Sequence, residues 1–183
     1  MTRLLWLVCL FAASLAMSAS AAPEYSIKAG YLLLFTRYVE WPASAFDSAA
    51  APINICILGA DPFGSVLDGT IAGQQSQQRS LRARRIEATS EAAGCHVIFI
   101  AANASTRTRQ WLDELGARPA LTVTEDPELL KYGAALCFVS EIDQQQARIR
   151  FEANLEWMQR AGLTASSEML VAARKVHRDS SGL

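Results

Sequence analysis

Hydrophobic and polar positions first organise into a helix over Ile27 to Pro42, IKAGYLLLFTRYVEWP. Ile27, Tyr31, Leu34, Phe35 and Tyr38 recur at offsets of four, seven, eight and eleven, which predicts one helical face packed on a sheet. Leu32, Leu33 and Val39 widen that stripe beyond the needs of a surface helix, so a second contact with a partner chain is expected. Pro42 ends the helix, and Trp41 before it turns the chain into the domain. Ile53 to Leu58 is a short β-branched run closing on Gly59, the pattern of a parallel strand covered on both faces. Asp61-Pro62 caps a helix reaching about Ala72, with Phe63, Val66, Leu67 and Ile71 inward.

Gly73 to Ser80, with four glutamines, reads as a surface loop, and Leu81 to Ala88 as a charged edge strand. Cys95 to Ala101 is a central strand, Asn103 to Leu115 a helix, Pro119 to Thr124 a strand, and Glu125 to Gly133 a short helix. Ala134 to Ser140 and Ala147 to Phe151 form an antiparallel hairpin about Asp143 to Gln146. Two helices follow, one to Ala161 and one from Ser166 or Ser167 to about Lys175, the last with Met169, Leu170, Ala173 and Val176 buried. The expected architecture is a single-domain α/β three-layer sandwich: a mostly parallel wound sheet, an antiparallel C-terminal hairpin and flanking helices.

Residues 1 to 21 read as an export signal, with Arg3 as the positive end, Leu4 to Met17 as the apolar stretch and Ala19-Ser20-Ala21 before the cut. The apolar run is shorter than the ~20 residues of a membrane span. The domain is then 22–177, with 178–183 a disordered tail. Loss of Arg3 takes the formal net charge from −1 to −2. Nothing in that balance attracts nucleic acid; the Arg79, Arg82, Arg84, Arg85 cluster alternates with apolar residues as a solvated strand face does.

Export leaves Cys56, Cys95 and Cys137, an odd number for an oxidising compartment, and so one pair with one left over. Cys56 and Cys95 lie in or beside strands of one predicted sheet; they form a disulfide or remain two small buried thiols. There is no Cys-x-x-Cys and no zinc-ligand spacing. His96 reads as a structural histidine, and Glu152 and Asn154 as caps of the following helix. Gly59 to Gly64, GADPFG, lacks dinucleotide and phosphate-loop spacing and reads as helix capping, with a small-ligand crevice at Gly59, Asp61 and Asn103 as the other reading. No catalytic set, metal site or cofactor is predicted.

Val39-Glu40-Trp41-Pro42, the strand closing on Gly59 with Asp61-Pro62-Phe63-Gly64, Cys95-His96-Val97-Ile98-Phe99-Ile100, Leu121-Thr122-Val123, Arg150-Phe151-Glu152-Ala153-Asn154-Leu155 and Ala161-Gly162-Leu163 resemble, in order and spacing, the YfiR family of periplasmic regulators. The resemblance implies a non-enzymatic periplasmic protein that binds the periplasmic domain of an inner-membrane diguanylate cyclase and represses it, lowering cyclic-di-GMP and biofilm formation. It implies an outer-membrane lipoprotein that sequesters the regulator, a redox-sensitive Cys56–Cys95 disulfide, and an unpaired Cys137, because a second cysteine pair of some members is missing here. Residues 31, 32, 35, 38, 39, 41 and 46 (Tyr31, Leu32, Phe35, Tyr38, Val39, Trp41, Phe46) are the expected partner surface, and a homodimer through the first helix is a further possibility. A periplasmic small-ligand-binding or sensor module is the competing function.

Overall fold

The structure, a computed structural model, describes residues 21–101, 106–143 and 146–178. The expected export segment therefore lies outside the described residues except for Ala21, and so do Asn103 and the tail after residue 178. The chain opens with helix α1 (Ala21–Tyr38) and a two-residue strand β1 (Val39–Glu40), then continues through β2 (Ile53–Leu58), α2 (Ser65–Ile71), β3 (Gln75–Ser76) and β4 (Arg79–Ile86). β5 (Val97–Ile100), α3 (Thr106–Leu115) and β6 (Leu121–Thr124) complete the wound part. The hairpin β7 (Leu136–Asp143) and β8 (Gln146–Asn154) follows, then α4 (Leu155–Arg160), β9 (Thr164–Ala165), α5 (Ser167–Ala172) and β10 (Lys175–His177).

The main sheet runs β10-β8-β7-β6-β5-β2-β4-β3, and β1 pairs with β9 in a small antiparallel ribbon. β4, β2, β5, β6 and β7 are parallel; β8 returns antiparallel to β7. From β2 the chain goes out to β4 and then crosses back to β5, so the winding reverses between β2 and β5. Alternation explains why both faces are covered. Ile53, Ile55 and Ile57 join Val97, Phe99, Leu121, Val123, Leu136 and Phe138 in the core under α1, α2 and α4. Cys56 and Leu58 join Ile98, Ile100, Leu112, Leu115, Leu129 and Cys137 on the opposite face under α3.

Several elements differ from the sequence reading. Helix α2 begins only at Ser65 with Gly64 at its N-cap, so Asp61-Pro62 forms a turn ahead of the helix, closed by the Phe63 amide on Asp61, rather than its cap. The buried face of α1 is Lys28, Ala29, Leu32, Phe35 and Thr36, continued by Val39 of β1, whereas Ile27, Leu34 and Tyr38 are exposed at 48%, 40% and 39%. The buried set is offset by one residue from the expected stripe, and Lys28 within it pairs with Glu24 one turn earlier and with Glu125. The glutamine-rich loop contains a tight hairpin, β3 to β4, whose two central residues Gln77 and Gln78 have φ of 52° and 62°. The last helix stops at Ala172, and Lys175–His177 forms a strand beside β8, drawn there by Glu152, which accepts from Arg174 and His177 at 3.1 and 2.8 Å.

Candidate functional site

The offset of the buried face of α1 leaves an apolar stripe on its outer side. Ile27, Tyr31, Leu34 and Tyr38 follow spacings of four, three and four, the seam repeat of a helix that meets another helix. Beside this stripe lies α5, which Ser166 caps by accepting from the Met169 amide at 3.2 Å. Between the two helices runs a groove of about 240 Å³ lined by Tyr31, Leu34, Tyr38, Phe151, Met169 and Ala172, with Glu168 on its rim. Val171, next to it, is 85% exposed. Tyr31 is half-committed to the core: its hydroxyl donates to Ile149 O at 3.2 Å and its ring packs on Phe35, Phe138 and Phe151.

The expected partner residues divide sharply. Leu32, Phe35, Val39 and Trp41 are core residues, none more than 8% exposed, while Tyr31, Tyr38 and Phe46 reach the surface. Tyr31 and Tyr38 share the groove; Phe46 lies elsewhere, against His96. Ile27 and Leu34 are legible in sequence as part of the helix stripe, yet the crowded run YLLLF hides which side of it faces out. Met169 and Ala172 carry no sequence signal that would place them across from α1.

The expected ligand crevice is occupied in part by the protein itself. Asp61 accepts from the Phe63 amide at 2.8 Å and from Arg85 Nε at 2.8 Å, and Arg85 also forks onto Asp68 at 2.9 and 2.6 Å. This two-carboxylate clamp holds the Asp68 carboxyl below the usual range and raises the guanidinium. Gly59 does open on a cavity of about 420 Å³ where the winding reverses, with Ala60, Glu87, Ala101, Arg107, Thr108 and Trp111. Gly59 is needed there: φ is 92°, and a Cβ would stand 3.2 Å from the Trp111 ring. The structure does not bring Asp61 into that cavity, and Asn103 lies outside the described residues.

Cys56 and Cys95 are bonded across β2 and the entry to β5, with Cα atoms 5.8 Å apart. Cys137 is a free thiol on β7, and burial, reinforced by Glu152, pushes it up to about 12. His96, 3% exposed, is fully bonded: Nδ1 accepts from the Asn54 amide at 3.1 Å and Nε2 is 3.1 Å from Ala45 O. Glu152 is an ion-pair centre for β10, and Asn154 caps α4 by accepting from the Trp157 amide at 3.3 Å. Among the described residues no group of three or more His, Cys, Asp or Glu side chains is placed to hold a metal ion, and no helix is long and apolar enough to cross a membrane.

The chain is thus a disulfide-stapled α/β sandwich with an apolar groove between two surface helices. Residues 25–174 match the model of the YfiR/HmsC-like family, and the chain belongs to that family. Its members are periplasmic regulators rather than enzymes.

Proposed function

We propose that the chain represses an inner-membrane diguanylate cyclase by binding its periplasmic domain, which lowers cyclic-di-GMP and with it biofilm formation. The observation that carries this reading is the family match over residues 25–174. The α1–α5 groove supplies a surface suited to it: an exposed stripe at helix-pairing spacing beside a cleft that admits apolar side chains. In this reading Ile27, Tyr31, Leu34 and Tyr38 meet the cyclase, and Leu32, Phe35, Val39 and Trp41 support them from the core. Export to the periplasm with cleavage near Ala21, and release through an outer-membrane lipoprotein, belong to the same proposal.

The test is intracellular cyclic-di-GMP with and without the gene, in cells shown to export the protein, combined with capture of the cyclase's periplasmic domain. Deletion should raise the nucleotide, and Leu34→Asp should reproduce the deletion while the variant accumulates normally. An unchanged nucleotide level would remove the proposal. A second reading, a small-ligand sensor, rests on the 420 Å³ cavity at Gly59. A ligand at a hundred times its dissociation constant should add about 2.7 kcal/mol of stability in a thermal-shift screen.

A further inference from the structure

The segment between β1 and β2, residues 42–52, packs Ala45 and Phe46 on the core and is hydrogen-bonded to the sheet by two cationic or ionisable side chains. Its own backbone bonds are local turns: Ala45 N to Pro42 O, Phe46 N to Ala43 O and Ala51 N to Ser48 O. Arg79 of β4 holds the far end, donating to Ser48 O at 3.0 Å and Ala51 O at 2.7 Å. His96 holds the near end through Ala45 O, and its ring stacks on Phe46 with centroids 4.4 Å apart. The Arg79 guanidinium carbon is 3.7 Å from the same Phe46 centroid, so one aromatic ring serves both groups.

The partners of His96 fix its chemistry. A carbonyl oxygen only accepts, so Nε2 donates to Ala45 O; the Asn54 amide only donates, so Nδ1 must be bare. This is the neutral ring, in one tautomer. A proton on Nδ1 would set two donors 3.1 Å apart and place a second cation at the ring that already faces Arg79. The charged groups around the imidazole are Arg79, which opposes protonation, and Asp47 of the segment, which favours it. Arg84 approaches the neighbouring Cys95 Sγ at 3.7 Å. Burial, together with Arg79, outweighs Asp47 and the Ala45 bond and holds His96 below its ordinary value.

We propose that His96 is a pH-operated latch: neutral, its bare Nδ1 takes the Asn54 amide and closes the 42–52 segment on the start of β2 and β5, whereas a proton on Nδ1 opposes that amide and the ring swings off β2 with the segment it still bonds through Ala45 O, while the sheet stays folded. The pivot is Trp41, whose Nε1 donates to the backbone oxygen of His96 at 3.0 Å and is untouched by the ring's charge. Because the closed state disfavours the proton, its stability is full above the ordinary histidine pKa of about 6.5 and falls as the pH drops below it.

Amide hydrogen exchange at single-residue resolution tests this, with protection corrected for the intrinsic pH dependence. Between pH 7.5 and 5.5 the protection of Asn54 and of the bonded segment amides Ala45, Phe46 and Ala51 should fall by up to about tenfold, while that of Ile57 and Phe99 holds. In His96→Gln, which can both accept and donate but does not titrate, protection of the segment should not change with pH. Asp47→Asn, an exposed change, removes the group that favours the proton in the closed state and should deepen the loss of protection below about pH 6.5, and it serves also if His96→Gln folds poorly. Segment protection in the wild type that is flat with pH, or that falls only together with Ile57 and Phe99, would overturn the latch.

Discussion

At the scale of single residues, the β3–β4 turn shows how a strained backbone can be retained for a side chain. Gln77 and Gln78 both occupy the left-handed region, which glycine or asparagine fills at less cost. Gln77 earns its place: its Nε2 donates to Thr36 O at 3.0 Å and Val39 O at 2.7 Å, and Ser76 Oγ adds a bond to Thr36 O at 2.7 Å. These donors satisfy carbonyls that the end of α1 leaves open. Gln78 is exposed and has no comparable contact. Gln78→Gly should therefore stabilise the chain by roughly 0.5–1 kcal/mol in urea unfolding, whereas Gln77→Gly should give no gain, since it trades strain for the loss of two bonds at the helix end.

At the scale of elements, α1 has a core face and an exposed face, and substitutions should separate what each does. Phe35→Ala removes a ring that packs on Phe138 and Phe151 in the core and should cost about 3–5 kcal/mol in urea unfolding. Leu34→Asp, one residue earlier and exposed, should change stability by less than about 1 kcal/mol while abolishing capture of the partner. Equal losses of stability would mean that the outer stripe is part of the fold. The sequence made α1 legible as a helix, but periodicity alone could not orient it, because every position from Tyr31 to Phe35 is apolar. The buried face also takes in a charged residue: Lys28 pairs with Glu125, a partner 97 positions away. Burial works against its charge, yet the bonds to Glu125 and Glu24 raise its pKa overall. The parallel strands were readable because burial on both faces leaves continuous β-branched runs. β10 was not, since Lys175–His177 owes its extended form to Glu152 on another strand. The candidate site was half legible for the same reason: Tyr31 and Tyr38 lie on one helix, but the α5 wall that completes the groove is set by tertiary packing.

At the scale of the whole molecule, the Cys56–Cys95 bond and the Cys137 thiol report on the same equilibrium from opposite sides. The bond closes a separation of 39 residues containing α2, β3 and β4, and by the loop-entropy relation such a closure contributes about 3–4 kcal/mol. Cys137 sits at 0% exposure between β6 and β8, and its raised pKa leaves almost no thiolate near neutral pH. Its modification by a thiol reagent therefore requires the sheet to open. In a chain whose Cys9 has been replaced, Cys56→Ser together with Cys95→Ser leaves Cys137 as the sole thiol. Its labelling should accelerate by about two to three orders of magnitude over the disulfide-bonded chain, the same 3–4 kcal/mol read through the open population. The acceleration should carry the full urea dependence of global unfolding. A rate unchanged by loss of the bond would show that the crosslink does not stabilise the fold; a rate that rises without urea dependence would show that Cys137 is reached by a local opening of β7.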